Sequence, residues 1–332
     1  MKEKYILSIK DLVVKFKLRS QSLDIIKGLS LGVFSGECLA IVGESGSGKT
    51  VLSKSIMGLL DKNGWIEGGS IFYKGVDLAL YKKEKDWLKI RGKEISMVFQ
   101  EPMSSLNPLK TVGNQIKESI VLHTDLNARE CKKKAIELLK EVGIPNPEKR
   151  YKHYPYQLSG GMRQRVAIAI AIACRPKLLI CDEPTTSLDV TIQIQILDLI
   201  KSIAKKYNLT IIYITHDFGV VANIADRVAV MYSGDIIEIG GVEDIFYNAR
   251  HPYTWSLLSS LPQFMDLNTY VSDKEETRSY ALNIDYIKKP NYYYVSQGHK
   301  VKSWLMDPRA PKINPPRSLR LLNKLSRGDK DG

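Results

Sequence analysis

Residues 5–16, YILSIKDLVVKF, alternate apolar and polar side chains, the period of a strand with one face on a core and the other in water. Residues 39–42 (LAIV) form a short unbroken apolar run that opens onto glycines, as a strand buried on both faces does. Residues 51–60 place apolar side chains at helical spacing and predict a helix that stops near Asn63-Gly64. Two further buried strands are expected at residues 178–182 (LLICD) and 210–214 (TIIYI), with an amphipathic helix at 191–206 between them. Strands alternating with helices imply an α/β fold with a mostly parallel, helix-covered sheet. Residues 103–164 read as largely helical, most clearly at 128–142, and sit as an insertion between two strand segments of the core. After His251-Pro252 the pattern weakens into a Tyr292-Tyr293-Tyr294 run, several prolines and a charged tail.

Composition narrows the setting. The 332 residues are 44% hydrophobic and 26% charged, the balance of a globular protein. The longest strongly apolar stretch, residues 166–174, is less than half the roughly 20 residues of a membrane-spanning helix. The first residues, MKEKYILSIKD, show no apolar signal core, so a cytosolic chain is expected. The four cysteines, Cys38, Cys131, Cys174 and Cys181, lack CxxC or Cys/His spacing and read as reduced thiols. A net charge of +13 fits a solvated surface or attraction to anionic lipid head groups. The excess is concentrated at residues 281–332, with 11 Lys/Arg against 4 Asp/Glu. Neither an RRM-like aromatic-basic pattern nor zinc-finger spacing is present, so nucleic acid is not an expected partner.

The candidate chemistry begins at Gly43, Glu44, Ser45, Gly46, Ser47, Gly48, Lys49 and Thr50, which spell GxxxxGK[ST] between a buried strand and the helix that continues with Val51. Glycines there let backbone N–H groups converge on phosphate oxygens, and the helix N-terminus adds positive dipole. Lys49 is expected to reach the β- and γ-phosphates and the Thr50 hydroxyl to ligate Mg²⁺. Asp182, ending a buried run, is a second candidate Mg²⁺ ligand, and Glu183 beside it a candidate to activate water. These parts together define a P-loop NTPase. Ser159, Gly160 and Gly161 form a small-residue helix start that reads either as a plain capped terminus or as a second anion site. One phosphate tail hardly needs two such sites in one subunit. A head-to-tail pair, each chain closing the other's ATP site, accounts for both. A GTPase is disfavoured by the lack of an NKxD selector.

Residues 158–165, LSGGMRQR, resemble the LSGGQ signature of ABC ATPases, with Met162 where glutamine is commonest. Other marks follow in order. Gln100 resembles the Q-loop glutamine that senses Mg²⁺ and water, and Ser187-Leu188-Asp189 the D-loop, whose Asp189 would contact a partner subunit near the nucleotide. His216 in THD resembles the switch histidine at the γ-phosphate. Phe16 lies where the family stacks a ring on adenine, and equally where a strand packs its core. The resemblance implies an ABC-type nucleotide-binding domain at residues 5–250, with a RecA-like core, an antiparallel β subdomain and a helical subdomain at 103–164. A C-terminal extension at 251–332 is expected beyond it.

FQEPMSSLNP (99–108), DEPTTSLDVTIQ (182–193) and HPYT (251–254) look like the oligopeptide/dipeptide importer branch, and residues 299–305 resemble its oligopeptide ATPases from Gram-positive bacteria. Many relatives carry cysteines in the extension; here none follows Cys181, and no iron–sulfur cluster is expected. The resemblance implies ATP and Mg²⁺, and catalytic roles for Glu183, His216 and Gln100. It also implies three kinds of partner: a second, related ATPase chain, two integral-membrane permease subunits, and an extracellular or periplasmic substrate-binding protein. The expected location is the cytoplasmic face of the membrane, and the expected cargo is oligopeptide. Dipeptide, nickel or another small solute, and more remotely a non-transport ABC ATPase acting on nucleic acid, stay open.

Overall fold

The computed structural model describes residues 5–19, 21–101, 105–186, 188–259 and 291–303. Residues 1–4, 20 and 187, the segments 102–104 and 260–290, and the tail from 304 lie outside the described residues.

The chain opens with two long strands, β1 (Tyr5–Leu18) and β2 (Gln21–Phe34), paired antiparallel. With β4 (Gly64–Tyr73) and β5 (Val76–Asp77) they make a four-stranded antiparallel sheet in the order β2-β1-β4-β5. The second sheet has eight strands. Its parallel part comprises β3 (Cys38–Val42), β6 (Ile95–Val98), β7 (Leu178–Asp182), β8 (Thr210–Thr215) and β9 (Arg227–Tyr232). Across the sheet these run β9-β3-β8-β7-β6. The antiparallel strand β10 (Asp235–Gly241) pairs with β9. A hairpin of β11 (Asn291–Ser296) and β12 (His299–Ser303) then extends the same sheet beyond β10.

Every residue of β3, β7 and β8 is buried. Alternation along β3 shares out its side chains: Leu39 and Ile41 join the core shared with the antiparallel sheet, while Ala40 and Val42 face the C-terminal helices. That first core also takes Leu52 and Ile56 of α1 (Lys49–Met57), and the short α2 (Glu84–Trp87) adds Trp87. A separate core holds the helical insertion between β6 and β7: α3 (Val112–His123), α4 (Ala128–Glu141), α5 (Pro147–Arg150) and α6 (Gly160–Ile172). The remaining helices are α7 (Val190–Tyr207), α8 (Phe218–Ile224), α9 (Val242–Asn248) and α10 (Pro252–Ser259).

The architecture is the α/β cassette expected, with an antiparallel β layer and a helical layer. Two details differ from the sequence reading. The helix expected over 51–60 ends at Met57, where Gly58 takes the left-handed conformation (φ 60°) and its N–H returns to the carbonyls of Lys54 and Ser55. Asn63-Gly64 instead leads into β4. The weak pattern after His251 conceals α10 and a hairpin hydrogen-bonded to the core sheet, so part of the extension is continuous with the domain before it.

Candidate nucleotide site

The expected chemistry gathers at the C-terminal edge of the parallel strands, where such sheets open a crevice. Leaving β3, the chain wraps through residues 43–48 into α1. Gly48 at the helix N-cap has φ 105°, and a side chain there would press within 2.9 Å of Met231 Cε. Gly43 approaches the next strand more closely, since a Cβ would lie 2.2 Å from the Met231 carbonyl oxygen. Gly46 has φ 84°, and no atom approaches where its Cβ would stand. Ser47 is buried, Ser45 and Glu44 are exposed, and Val51 packs half-buried on the core beneath α1.

Lys49 curls back into the loop. Its Nζ donates to the carbonyls of Gly43 (2.8 Å) and Glu44 (2.9 Å), and the residue is 5% exposed. Burial lowers its pKa, and the nearby carboxylates of Glu183, Asp182 and Glu44 oppose that shift. Opposite stands Asp182, 2% exposed, accepting from Thr50 Oγ1 at 3.4 Å and from Ser53 Oγ at 3.1 Å. Burial raises the Asp182 pKa, and the two hydroxyls draw it back. A carboxylate beside a hydroxyl on the cradle helix is the oxygen donor set a hard divalent cation takes. Among the described residues no group of three or more His, Cys, Asp or Glu could hold a metal. Mg²⁺ fits this pair only with phosphate and water completing its shell.

Glu183 is the first residue past β7 and sits in the left-handed region at φ 45°, where a non-glycine residue is strained by about 1–2 kcal/mol. Its N–H donates to the Ile214 carbonyl (2.9 Å), which locks the turn to β8. Three neighbours then converge on Glu183 Oε2: Gln100 Nε2 at 3.4 Å, Thr186 Oγ1 at 3.0 Å and His216 Nδ1 at 3.3 Å. Gln100 and His216 are themselves exposed, so the group lines an open face.

Ser159, Gly160 and Gly161 are placed elsewhere. Ser159 caps α6, its Oγ accepting from the Met162 N–H (3.4 Å), and a Cβ on Gly161 would stand 2.7 Å from Ile192 Cγ2. Asp189 caps α7 by accepting from the Ile192 N–H (3.0 Å) and is exposed. Thus the serine-glycine turn lies against the start of α7. The contacts of the cradle run to Asp182, Met231, Gly234 and Tyr253. Phe16 is half-buried near the end of β1, between β2 and β4, its ring over Gly64, where a Cβ would come within 2.7 Å.

Sequence reasoning missed three residues. Ser53 sits one turn beyond Thr50, and that i, i+3 spacing is a signal that was available. Thr186, three positions after Glu183, is polar but gives no reason to choose it over its neighbours. Tyr253, whose hydroxyl accepts the Glu44 N–H at 3.0 Å, is 209 residues away in sequence and gives no signal.

Comparison with known proteins agrees in kind. Residues 26–186 match the family described as ABC transporter, and residues 237–283 the one described as oligopeptide/dipeptide transporter, C-terminal region. The chain is 52% identical over 327 residues to the oligopeptide transport ATP-binding protein AmiE of Streptococcus pneumoniae, covering 94% of this chain and 92% of that one. It is 50% identical over 333 residues to the oligopeptide transport ATP-binding protein OppD of Bacillus subtilis, covering 95% and 93%. The dipeptide transport ATP-binding protein DppD of Lactococcus lactis is 47% identical over 332 residues, with 95% of each covered. Among solved structures, the dimeric ATP-binding cassette MJ0796 bound to ADP and Pi superposes with a TM-score of 0.64 at 27% identity, covering 71% of this chain and 98% of that one. The cbiO1 protein of Clostridium perfringens, part of the ABC transporter complex cbiONQ, gives 0.63 at 29% identity, covering 79% and 97%.

Proposed function

This chain belongs to the ATP-binding proteins of ABC transporters, in the oligopeptide/dipeptide branch, and from that membership we propose that it hydrolyses ATP to drive peptide uptake through separate permease subunits. The observation that carries the reading is the convergence of Gln100, Thr186 and His216 on the Glu183 carboxylate, on the same sheet edge as Lys49, Thr50 and Asp182.

The cradle amides from Gly43 to Val51 hold the phosphates, and the Lys49 ammonium, positioned by its carbonyl contacts to Gly43 and Glu44, turns its remaining N–H to phosphate oxygens. Thr50 and Asp182 would hold Mg²⁺, whose charge would offset that of the phosphates. Glu183 draws the proton from the attacking water while Gln100 and His216 orient that water. Phe16 near the end of β1 offers its ring to adenine. Ser159, Gly160 and Gly161 face the nucleotide held by a second, related ATPase chain, and Asp189 lies at the junction. That arrangement explains why one chain carries two anion-binding turns well separated in the fold.

Among the described residues no helix is long and apolar enough to cross a membrane. In this reading the membrane path belongs to two permease subunits, with a substrate-binding protein on the far side and this chain on the cytoplasmic face. The helical layer between β6 and β7 and Gln100 at its root carry nucleotide-dependent movement toward the permease. The test is reconstitution of this chain in vesicles with the permeases that co-purify with it. Labelled oligopeptide should accumulate only when ATP and the binding protein are both present. Uptake independent of ATP, or ATP turnover that no peptide stimulates, overturns the reading.

A further inference from the structure

Tyr253 opens the C-terminal extension yet touches the phosphate loop. The residue is 3% exposed, its ring packs on Tyr232 with centroids 4.4 Å apart, and its hydroxyl accepts the Glu44 N–H at 3.0 Å. That N–H belongs to the same peptide unit as the Gly43 carbonyl, which accepts Lys49 Nζ at 2.8 Å. One peptide plane is therefore held at both ends, by the phenol on its N–H and by the ammonium on its oxygen. Donation at one end of an amide polarises the other, so the two bonds reinforce each other.

The phenol is itself held from behind. The Tyr253 N–H donates to His251 Nδ1 (3.1 Å), and the His251 N–H donates to Glu238 Oε2 (3.2 Å). Glu238, fully buried on β10, also accepts the Arg250 N–H (2.6 Å) and pairs with His299 Nε2 of the hairpin (2.9 Å). Burial pushes the His251 pKa down to about 4, so its ring is neutral and keeps an acceptor for Tyr253 at neutral pH.

We propose that Tyr253 is a positioning residue for the phosphate cradle: its hydroxyl fixes the Gly43–Glu44 peptide and through it Lys49, so that the C-terminal extension sets the affinity for ATP. The inference rests on reading residues 43–50 as the ATP cradle. Tyr253→Phe removes the hydroxyl and leaves the ring packing in place. With the full-length chain and a fluorescent ATP analogue in the presence of Mg²⁺, its Kd should rise about three- to tenfold, as loss of one ordinary hydrogen bond gives. The KM for ATP should rise by the same factor, and kcat should change by less. Tyr73→Phe is the control: Tyr73 donates its hydroxyl to Glu94 at 3.0 Å, on the antiparallel sheet, and its loss should leave the Kd unchanged. Lys49→Ala separates the two claims. If it destroys binding while Tyr253→Phe binds as the wild type does, the cradle stands and the role of Tyr253 is refuted. If Lys49→Ala binds normally, the cradle reading itself is refuted. Hydrogen exchange needs no variant: the Glu44 amide should be protected in the wild-type chain, and an unprotected amide overturns the proposal.

Discussion

Glu183→Gln keeps the size and shape of the side chain and removes only its capacity to take a proton. The left-handed backbone at φ 45° is anchored by the N–H bond to Ile214 and does not depend on the carboxylate. The amide oxygen can still accept from Thr186 at 3.0 Å, so the turn after β7 should persist. What is lost is an acceptor that faces Gln100 and His216 together, and with it the base. A general base contributes roughly 10²- to 10⁴-fold, or about 2.7 to 5.4 kcal/mol of barrier. Because Gln100 and His216 remain to orient water, we expect kcat to fall about 10²- to 10³-fold. Lys49, Thr50 and Asp182 are untouched, so the Kd for ATP should hold within about twofold. Phosphate release at saturating Mg²⁺ and ATP measures the first quantity, titration with a fluorescent analogue the second, and a sizing column the persistence of the ATP-bound dimer. Hydrolysis at the wild-type rate, or a loss of affinity larger than the loss of turnover, would refute the assignment.

Asp182→Asn should raise the thermal stability of the nucleotide-free chain and abolish Mg²⁺-dependent hydrolysis. The sign follows from burial: the folded pKa of Asp182 lies above its unfolded value, so stability carried by the protonated acid is present at low pH and lost as pH rises through the folded value. At pH 7 the variant should melt roughly 2–4 °C higher, and the gap should narrow as pH falls; a lower melting temperature at pH 7 contradicts the burial argument. Glu238→Ala strands the N–H groups of Arg250 and His251 and the His299 side chain in the interior, at a cost of about 3–5 kcal/mol. Urea titration should show it, with faster proteolysis of the hairpin, and a loss below about 1 kcal/mol excludes the buried network as a tie. Both signature glycines lie at the start of α6, where alanine is the better helix former by about 1 kcal/mol. Gly160→Ala meets only Leu188 Cδ2 at 3.5 Å and should melt at or above wild type, whereas Gly161→Ala drives a methyl to 2.7 Å from Ile192 Cγ2 and should melt below it. Equal melting temperatures for the pair count against the packing described here.

Which elements could be read from residues alone follows from what makes them strands. Runs 39–42, 178–182 and 210–214 are apolar on both faces because both faces are covered, and no partner need be known to see it. In β2 the first four residues are exposed, and pairing with β1 is what makes them strand. In β4 three glycines resemble loop, yet a side chain at Gly69 would strike the Asp11 carbonyl oxygen at 2.4 Å, so glycine there permits the close pairing. The strands at 291–303 are held by pairing with each other and by docking on β10, partners the sequence does not name. The same division holds at the site. The loop glycines and Lys49 are marked by spacing within one strand-loop-helix unit, and Asp182 and Glu183 by the end of a buried strand, while Thr186 and Tyr253 are brought beside them only by the folded chain.

The groups at the sheet edge share a physical condition that links their stability to their work. Lys49 is a cation whose charged form is disfavoured by burial, and Asp182 is an anion disfavoured in the same way. Glu183 occupies a backbone region that costs about 1–2 kcal/mol without glycine. Each is less stable in place than it would be in a solvated, unstrained position. A polyphosphate bound at residues 43–50 would relieve the lysine and a divalent cation the aspartate, so each would gain from a cost the empty fold already carries. Nucleotide with Mg²⁺ should therefore stabilise the chain more than nucleotide in EDTA, because only the first satisfies both charges.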